Sequence, residues 1–596
     1  MSEAIWQALA EKAIGGRSLD TLSTLTAEGL RIEPLYPRNL ADRPRALRQN
    51  DGAWGVAQRV DHPVPGEANR LALLDLEGGA TALTLVFEGD ARGFGLPVNA
   101  AALASALEGI ELDLIGLRLD AGDRAIDAAK LLAGLSTARR LTSAALTVDL
   151  GLDPIGHGAR TGLSAPADSA GELRDFLETL RAAGLAGRTF LADGRPYHEA
   201  GAGDAQELAA VLATGVAYLR RLERAGQPLD DASAAIAFLL VADADTFLSI
   251  AKFRALRRLW AQVEAACGIT PMPMRLHAET GWRMMTRRDP WVNVMRITAA
   301  VFAAGVGGAD VITTLPFTLP LGLPEDGARR LARNTQLVLL DEAHLARVDD
   351  PAAGSGGLEA LTDQLSAHAW TLFQQIEGEG GIEASLRAGL LQGRIAETRS
   401  RRARAIATMT HGITGTNTFP ALGIADPAVT DVARRAEPAR GALALPSLRD
   451  GEAFEALRDA AETMSVQGIR PTVFLATLGG PADYGPRATY AANFFAAAGI
   501  ATMTGAADGD PAAHGPTSAV VCVCGSDAAY ADRLDATVAT LRSAGVARIL
   551  LAGRPHTPDG TRRSAAVDGF IHSGSNGLQT LTSTLGFLHE AAVTRP

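Results

Sequence analysis

Between Met274 and Gly357 the hydrophobic period switches repeatedly between that of a strand and that of a helix, and this alternation limits the possible folds more than any other stretch. MRLHAET is a short apolar run that breaks into polar residues, the pattern of a buried strand emptying into a loop. Asp289-Pro290 offers a helix cap with proline at the first helical position. Trp291, Val294, Met295, Thr298, Val301, Phe302 and Gly305 then recur at helical spacing. Gly307-Gly308 stop that helix before the apolar run DVITTLPF. Pro324 opens a second helix with Ala328, Leu331, Thr335 and Val338 on one side, and LARVDDPAAGSG follows as strand and glycine-rich loop. Strand–helix–strand–helix–strand is the repeat of a parallel sheet covered by helices.

The repeat extends well upstream. ALTLVFEGD, LDLIGLRLD, ALTVDLG, RTFLADG, AIAFLLVADA, MRLHAET, DVITTLP and LARVDDP are eight apolar runs separated by Ala/Leu-rich helical stretches, which predicts a (β/α)8 TIM barrel over residues 61–410. The runs end in Asp90, Asp120, Asp149, Asp193, Asp243, His277, Thr313 and Asp349, so these residues are expected to rim the mouth where barrel chemistry occurs. Polar residues after strands also cap the helices that follow, which accounts for many aspartates without chemistry. Residues 1–60 read as an N-terminal arm: Ile5, Trp6, Leu9 and Ile14 make a short helix, and a proline-punctuated strap follows, to pack on its own barrel or on another subunit. Arg394, Arg399, Arg401, Arg402 and Arg404 would spread over several faces of one helix, a solvated or interface helix rather than a phosphate site.

Residues 411–465 read as a linker, and 466–596 as a second α/β domain with strands TVFLATL, GIATMTG, SAVVCVC, ARILLAG and DGFIHSG. Five strands with intervening helices suit a flavodoxin-like doubly wound sheet. Cys522 and Cys524 sit in an apolar strand and read as small buried hydrophobes. A net charge of −11 leaves no basic surplus for nucleic acid. Three cysteines give no disulfide framework, no apolar stretch reaches membrane-spanning length, and the N-terminus lacks a signal layout; together these predict a cytoplasmic chain with no membrane partner.

A barrel, a linker and a flavodoxin-like domain resemble the adenosylcobalamin-dependent acyl-CoA mutases, above all the methylmalonyl-CoA mutase family. RLHAETGW is similar to the family's R-x-H-x-Q-T-S-G-W, and LARNTQLVLLDEAHLARVDDPAAGSG to its ARNTQ helix and DP-x-x-GS loop. TAEGLRIEPLY and HEAGAGDAQELAAVLATGVAYLR resemble two further family segments, so the likeness covers nearly the whole chain.

The departures shape the functional expectation. Active relatives carry Asp-x-His-x-x-Gly after the first C-terminal strand, and that histidine ligates cobalt. Here ATLGGPADYGPR places Pro481 at the aspartate and Asp483 at the histidine, a hard oxygen donor ill-suited to replace imidazole on cobalt. The family's Ser-Ser pair near the third strand falls near Cys524-Gly525, and Pro486-Arg487 replace a glycine loop. In the barrel, Pro196 takes the place of the histidine that bonds the substrate thioester, and Leu191 replaces a small serine and could fill the bore. Arg275, His277 and Glu279 remain at the mouth, His277 more simply as a hydrogen-bonded structural histidine and Arg275 in reach of a ligand carboxylate or a buried acidic partner.

The resemblance thus implies a non-catalytic subunit that binds no cofactor itself and stabilises a large, adenosylcobalamin-binding partner, which interconverts methylmalonyl-CoA and succinyl-CoA. Two alternatives stand beside it. One is a self-sufficient mutase on another acyl-CoA with its own base still on cobalt. The other is a regulatory pseudo-enzyme that binds acyl-CoA or a GTPase chaperone.

Overall fold

The computed structural model describes residues 3–38, 47–48, 52–141, 146–163, 170–185, 187–436, 440–507, 519–557, 559–564 and 566–594. It divides into two compact units, the first built on residues up to 284 with 293–399 and 428–448, the second on 285–292, 400–427 and 449–596.

The first unit is a closed barrel of parallel strands: β1 (Gly55–Val60), β2 (Ala82–Val86), β3 (Gly116–Asp120), β4 (Thr147–Leu152), β5 (Arg188–Asp193), β6 (Ile236–Ala242), β7 (Arg275–Thr280) and β8 (Val311–Thr313). β8 pairs with both β1 and β7, which closes the ring. The barrel is as expected, but its first and last members are not. The run LARVDDP forms turns rather than a strand: Val348 is 58% exposed, and His344 and Asp350 adopt positive φ. The missing strand lies inside the stretch read as arm. It is GVAQRV, whose Gln58 and Arg59 break the apolar pattern of a buried strand, yet both are buried. Gln58 donates to Asp75 and to the Arg329 carbonyl, and Arg59 reaches into the barrel. RTFLADG and MRLHAET therefore occupy the fifth and seventh positions rather than the fourth and sixth.

The ARNTQ helix, Asp326–Leu337, packs β1 and β8 from outside. Arg333 pairs with Asp75 at 3.0 Å, and Gln336 bridges the Trp54 indole (3.1 Å) and the Ile312 carbonyl (3.1 Å). Between Asp149 and Leu152 the register of β4 against β5 slips. There Gly151 takes φ +68°, and a Cβ would lie 2.0 Å from the Leu119 carbonyl oxygen, so glycine is obligatory.

The arm begins with the helix Glu3–Ala13, where Ile5 and Leu9 are exposed. Further on it packs against its own barrel. Glu28 accepts the backbone N–H groups of Ala205 (2.9 Å) and Gln206 (3.1 Å), capping the helix Asp204–Arg224 from a distant part of the chain. Gly203 makes room for it, since a Cβ there would meet the Glu28 carboxyl at 2.1 Å.

The span 411–465 is not an open linker. Val429–Thr430 pairs antiparallel with Leu323–Pro324, Leu445 N–H donates to the Ala159 carbonyl at 2.8 Å, and Glu452–Val466 is a helix of the second unit. That unit holds a parallel sheet in the order β10-β9-β11-β12-β13, with β9 Thr472–Thr477, β10 Ala501–Ala506, β11 Val520–Cys524, β12 Arg548–Ala552 and β13 Gly569–Ile571. This is the flavodoxin-like order, with apolar cores on both faces. Cys522 and Cys524 are buried on one of those faces. No described helix is long and apolar enough to cross a membrane.

The two valines that distinguish the observed barrel from the expected one give a direct check. Val56→Ala removes buried methyl groups from β1 and is expected to cost about 2 kcal/mol in urea unfolding. Val348→Ala, in the exposed turn, is expected to stay within about 0.5 kcal/mol.

Candidate functional site

The barrel lumen is occupied by the chain's own charged side chains. Arg195 opens the short buried helix Arg195–Glu199 directly after β5 and turns its guanidinium back over the strand ends. Nη1 lies 2.6 Å from Asp120 and 3.2 Å from Glu279, and Nη2 lies 2.7 Å from Asp193. Arg59 joins from β1, contacting Asp61 at 3.2 Å, Asp90 at 3.3 Å and Glu279 at 3.7 Å. Burial disfavours the Arg195 cation, but Asp120, Asp193 and Glu279 outweigh it and hold its pKa well above the arginine range. Arg118 stands 3.8 Å from both Asp120 and Glu279, too far for a hydrogen bond, and burial pushes its pKa down.

Deeper in the barrel, His277 Nε2 meets Asp149 Oδ2 at 2.9 Å across the lumen. Arg275 Nε is 3.5 Å from the same oxygen, and Arg188 lies 3.8 Å from the other. Arg275 thus has a buried acidic neighbour, one of the two roles open to it from sequence. Leu191 packs with Ala237 and Leu239, so the side chain at the serine position fills space beside β6. Pro196 is buried in the second position of the Arg195 helix. His198, two residues on, is tied to Asp243 at 3.1 Å, with Arg283 on the same carboxylate at 3.0 Å. Sequence reasoning found Asp120, Asp149, Asp193, His277 and Glu279 but missed Arg59, Arg118 and Arg195, which gather around Asp120, Asp193 and Glu279. The available signal was a charged residue at alternate positions inside a strand, as in GLRLD and AQRVD.

In the second unit, Pro481 and Asp483 open the helix Pro481–Ala496. Asp483 Oδ2 accepts the Gly480 N–H at 3.0 Å, and Oδ1 accepts the Ser526 hydroxyl at 3.3 Å. The carboxylate is therefore spent on a helix end. At the strand-order switch, between β9 and β11, two side chains meet. Arg487 donates to the Gly525 carbonyl at 2.6 Å, pairs with Asp527, and lies 4.7 Å over the Tyr530 ring. Tyr530 in turn donates to the Ala552 carbonyl at 2.8 Å. Cys524 is wholly buried behind them. A carboxylate spent on a helix end, and a hard oxygen donor at that, does not fit a corrinoid ligated through this domain. Among the described residues no group of three or more His, Cys, Asp or Glu side chains is placed to hold a metal ion.

Two outcomes follow from the lumen. Burial pushes His277 down to about 4 and His198 down to about 3, both below the unfolded value of about 6.5. The unfolded chain therefore takes up protons that the native state refuses. Stability is full above pH 6.5 and falls as pH drops toward 4, by up to about 1.4 kcal/mol per pH unit for each ring. Urea unfolding at about pH 7.5, 6 and 5 should show this fall, and His277→Gln, which keeps a donor for Asp149, should make it shallower. Separately, Arg195→Met removes the nearest cation from three carboxylates and is expected to cost about 3–5 kcal/mol. Arg70→Met, which breaks an exposed pair with Asp326, should cost less than about 1 kcal/mol in the same assay.

Comparison with known proteins agrees with this architecture. The family model for methylmalonyl-CoA mutase matches residues 44–466. The methylmalonyl-CoA mutase small subunit of Streptomyces virginiae is 42% identical, covering 96% of this chain and 93% of its own. The small subunit from Propionibacterium freudenreichii subsp. shermanii is 34% identical over 96% of this chain and 90% of its own. The methylmalonyl-CoA mutase of Escherichia coli is 28% identical over 70% of this chain and 63% of its own. With the barrel, the flavodoxin-like sheet and these likenesses together, the chain belongs to the methylmalonyl-CoA mutase family.

Proposed function

We propose that this chain is the non-catalytic small subunit of a heterodimeric methylmalonyl-CoA mutase. Its role is to stabilise a large subunit that binds adenosylcobalamin and interconverts methylmalonyl-CoA and succinyl-CoA. The observation that carries this reading is the lumen itself. Where an acyl chain would thread, Arg195 binds Asp120, Asp193 and Glu279, and His277 binds Asp149. Opening that path would separate several buried ion pairs and leave their members uncompensated, at about 3–5 kcal/mol for each broken pair. The commitment of Asp483 to the helix end supports the same reading from the second unit. The small-subunit names of relatives that match from end to end add a partner to it.

A subunit of this kind contributes surface. Obligate interfaces bury about 2,000–5,000 Å² and are rich in apolar side chains. Ile5, Leu9, Leu22, Leu25 and Leu35 are all exposed along the arm, an arrangement costly in water and useful against a partner.

A visible-absorbance titration tests the reading. The purified full chain should leave the adenosylcobalamin spectrum unchanged, whereas the chain mixed with the large subunit should show saturable binding and mutase turnover. Tight corrinoid binding or turnover by the isolated chain would overturn the proposal.

A further inference from the structure

The arm meets the barrel at the joint that carries the Arg195 helix. Thr24–Leu25 and Arg31–Ile32 pair as a small hairpin. Its turn is fixed by Thr26, whose N–H donates to the Leu30 carbonyl at 2.9 Å and whose hydroxyl accepts the Leu30 N–H at 3.0 Å. Glu28 stands at the tip, with its carboxylate on the Ala205 and Gln206 N–H groups and in the space that a Cβ on Gly203 would take. Gly203 has an ordinary φ of −80°, so its missing side chain serves Glu28 rather than the backbone. A second fit of this kind lies nine residues further along the arm. Gly356 opens the helix Gly356–Gly378, and a Cβ there would lie 1.9 Å from the Pro37 carbonyl oxygen. That helix packs on the one that Glu28 caps.

The joint runs from the end of the Arg195 helix to the helix Asp204–Arg224 and reads Ala200-Gly201-Ala202-Gly203. Two glycines in four residues make it the natural place for the chain to bend, and it is clamped from several directions. Arg283 donates to the His198 and Ala202 carbonyls, both at 2.9 Å, and Arg399 donates to the Ala200 carbonyl at 3.1 Å. The Gln206 side chain accepts the Gly203 N–H at 3.0 Å and donates to the Arg394 carbonyl at 3.2 Å. Glu28 adds the clamp that comes from the arm. We propose that the arm is a latch on the lumen: seated Glu28 fixes the joint and so holds the Arg195 helix over its carboxylates, and release of Glu28 loosens arm and lumen helix together. Without Glu28, helix N–H groups must turn to water for a partner, which favours fraying of the turn next to the joint. Coupling of this kind is mutual, so whatever binds the arm more tightly than the Gly203 socket does acts on the lumen as well. The proposal concerns contacts within this chain and stands whether or not the chain acts as a subunit.

Amide hydrogen exchange of the full chain, read by mass spectrometry, tests it. Glu28→Ala leaves the barrel's own sequence untouched and should speed exchange about tenfold or more in residues 24–37 and 197–206 together, with β6 (Ile236–Ala242) unchanged. Gly203→Ala, whose methyl group takes the place of the carboxylate, should do the same. The double variant should exchange no faster in 197–206 than Gly203→Ala alone, because both changes remove one contact. The proposal falls if one segment loosens without the other, if neither does, or if β6 loosens equally and the change is general unfolding. It falls equally if the two substitutions add.

Discussion

The contact between Arg195 and its three carboxylates is the constraint on which the first unit turns. A barrel of eight strands has an interior just wide enough to be filled by side chains, and whatever does not hold a ligand has to be packed. Here much of the filling is ionic. Charges inside a protein are expensive to desolvate and repay that cost only when well paired. Arg195 satisfies this by meeting Asp120, Asp193 and Glu279 at once, from three different strands. Its position at the start of a buried helix locks β3, β5 and β7 to one another at their carboxyl ends. Any rearrangement that opened the lumen would have to find new partners for all four groups.

The second unit follows the same logic at a different place. The crevice where the strand order reverses is the natural ligand position of a doubly wound sheet. Beside it Arg487 and Tyr530 donate to backbone carbonyls, and Asp483 accepts a backbone N–H. In both units, charged side chains paired within the chain stand at the carboxyl ends of the strands.

Much of this was legible in the residues. Seven of the eight barrel strands and all five C-terminal strands announced themselves as apolar runs, because parallel strands are covered on both faces. β1 did not, because Gln58 and Arg59 are buried by pairing rather than by hydrophobicity, and pairing partners such as Asp75 and Glu279 lie far away in sequence. LARVDDP misled for the opposite reason: Leu345, Ala346 and Val348 look like a strand, but Leu345 and Ala346 are only half-buried and Val348 is exposed. Composition could not reveal that 428–448 is tied down by Leu323–Pro324 and Ala159, since those contacts are long-range backbone bonds. The candidate positions Pro196, Leu191, Asp483 and Cys524 were found by motif, but the arginines that close the sites had no motif to betray them.

The cap supplied by Glu28 has a consequence for the order in which the chain is made. Its acceptors' partners, Ala205 and Gln206, lie 177 and 178 residues downstream. At a synthesis rate of about 5–20 residues per second, the arm leaves the ribosome roughly 9–35 s before its docking point exists. During that interval Glu28 has no native partner and the arm is not yet held to the barrel. A nascent chain of this design would be most vulnerable to premature association in that window, and a waiting partner surface would shield it most usefully then.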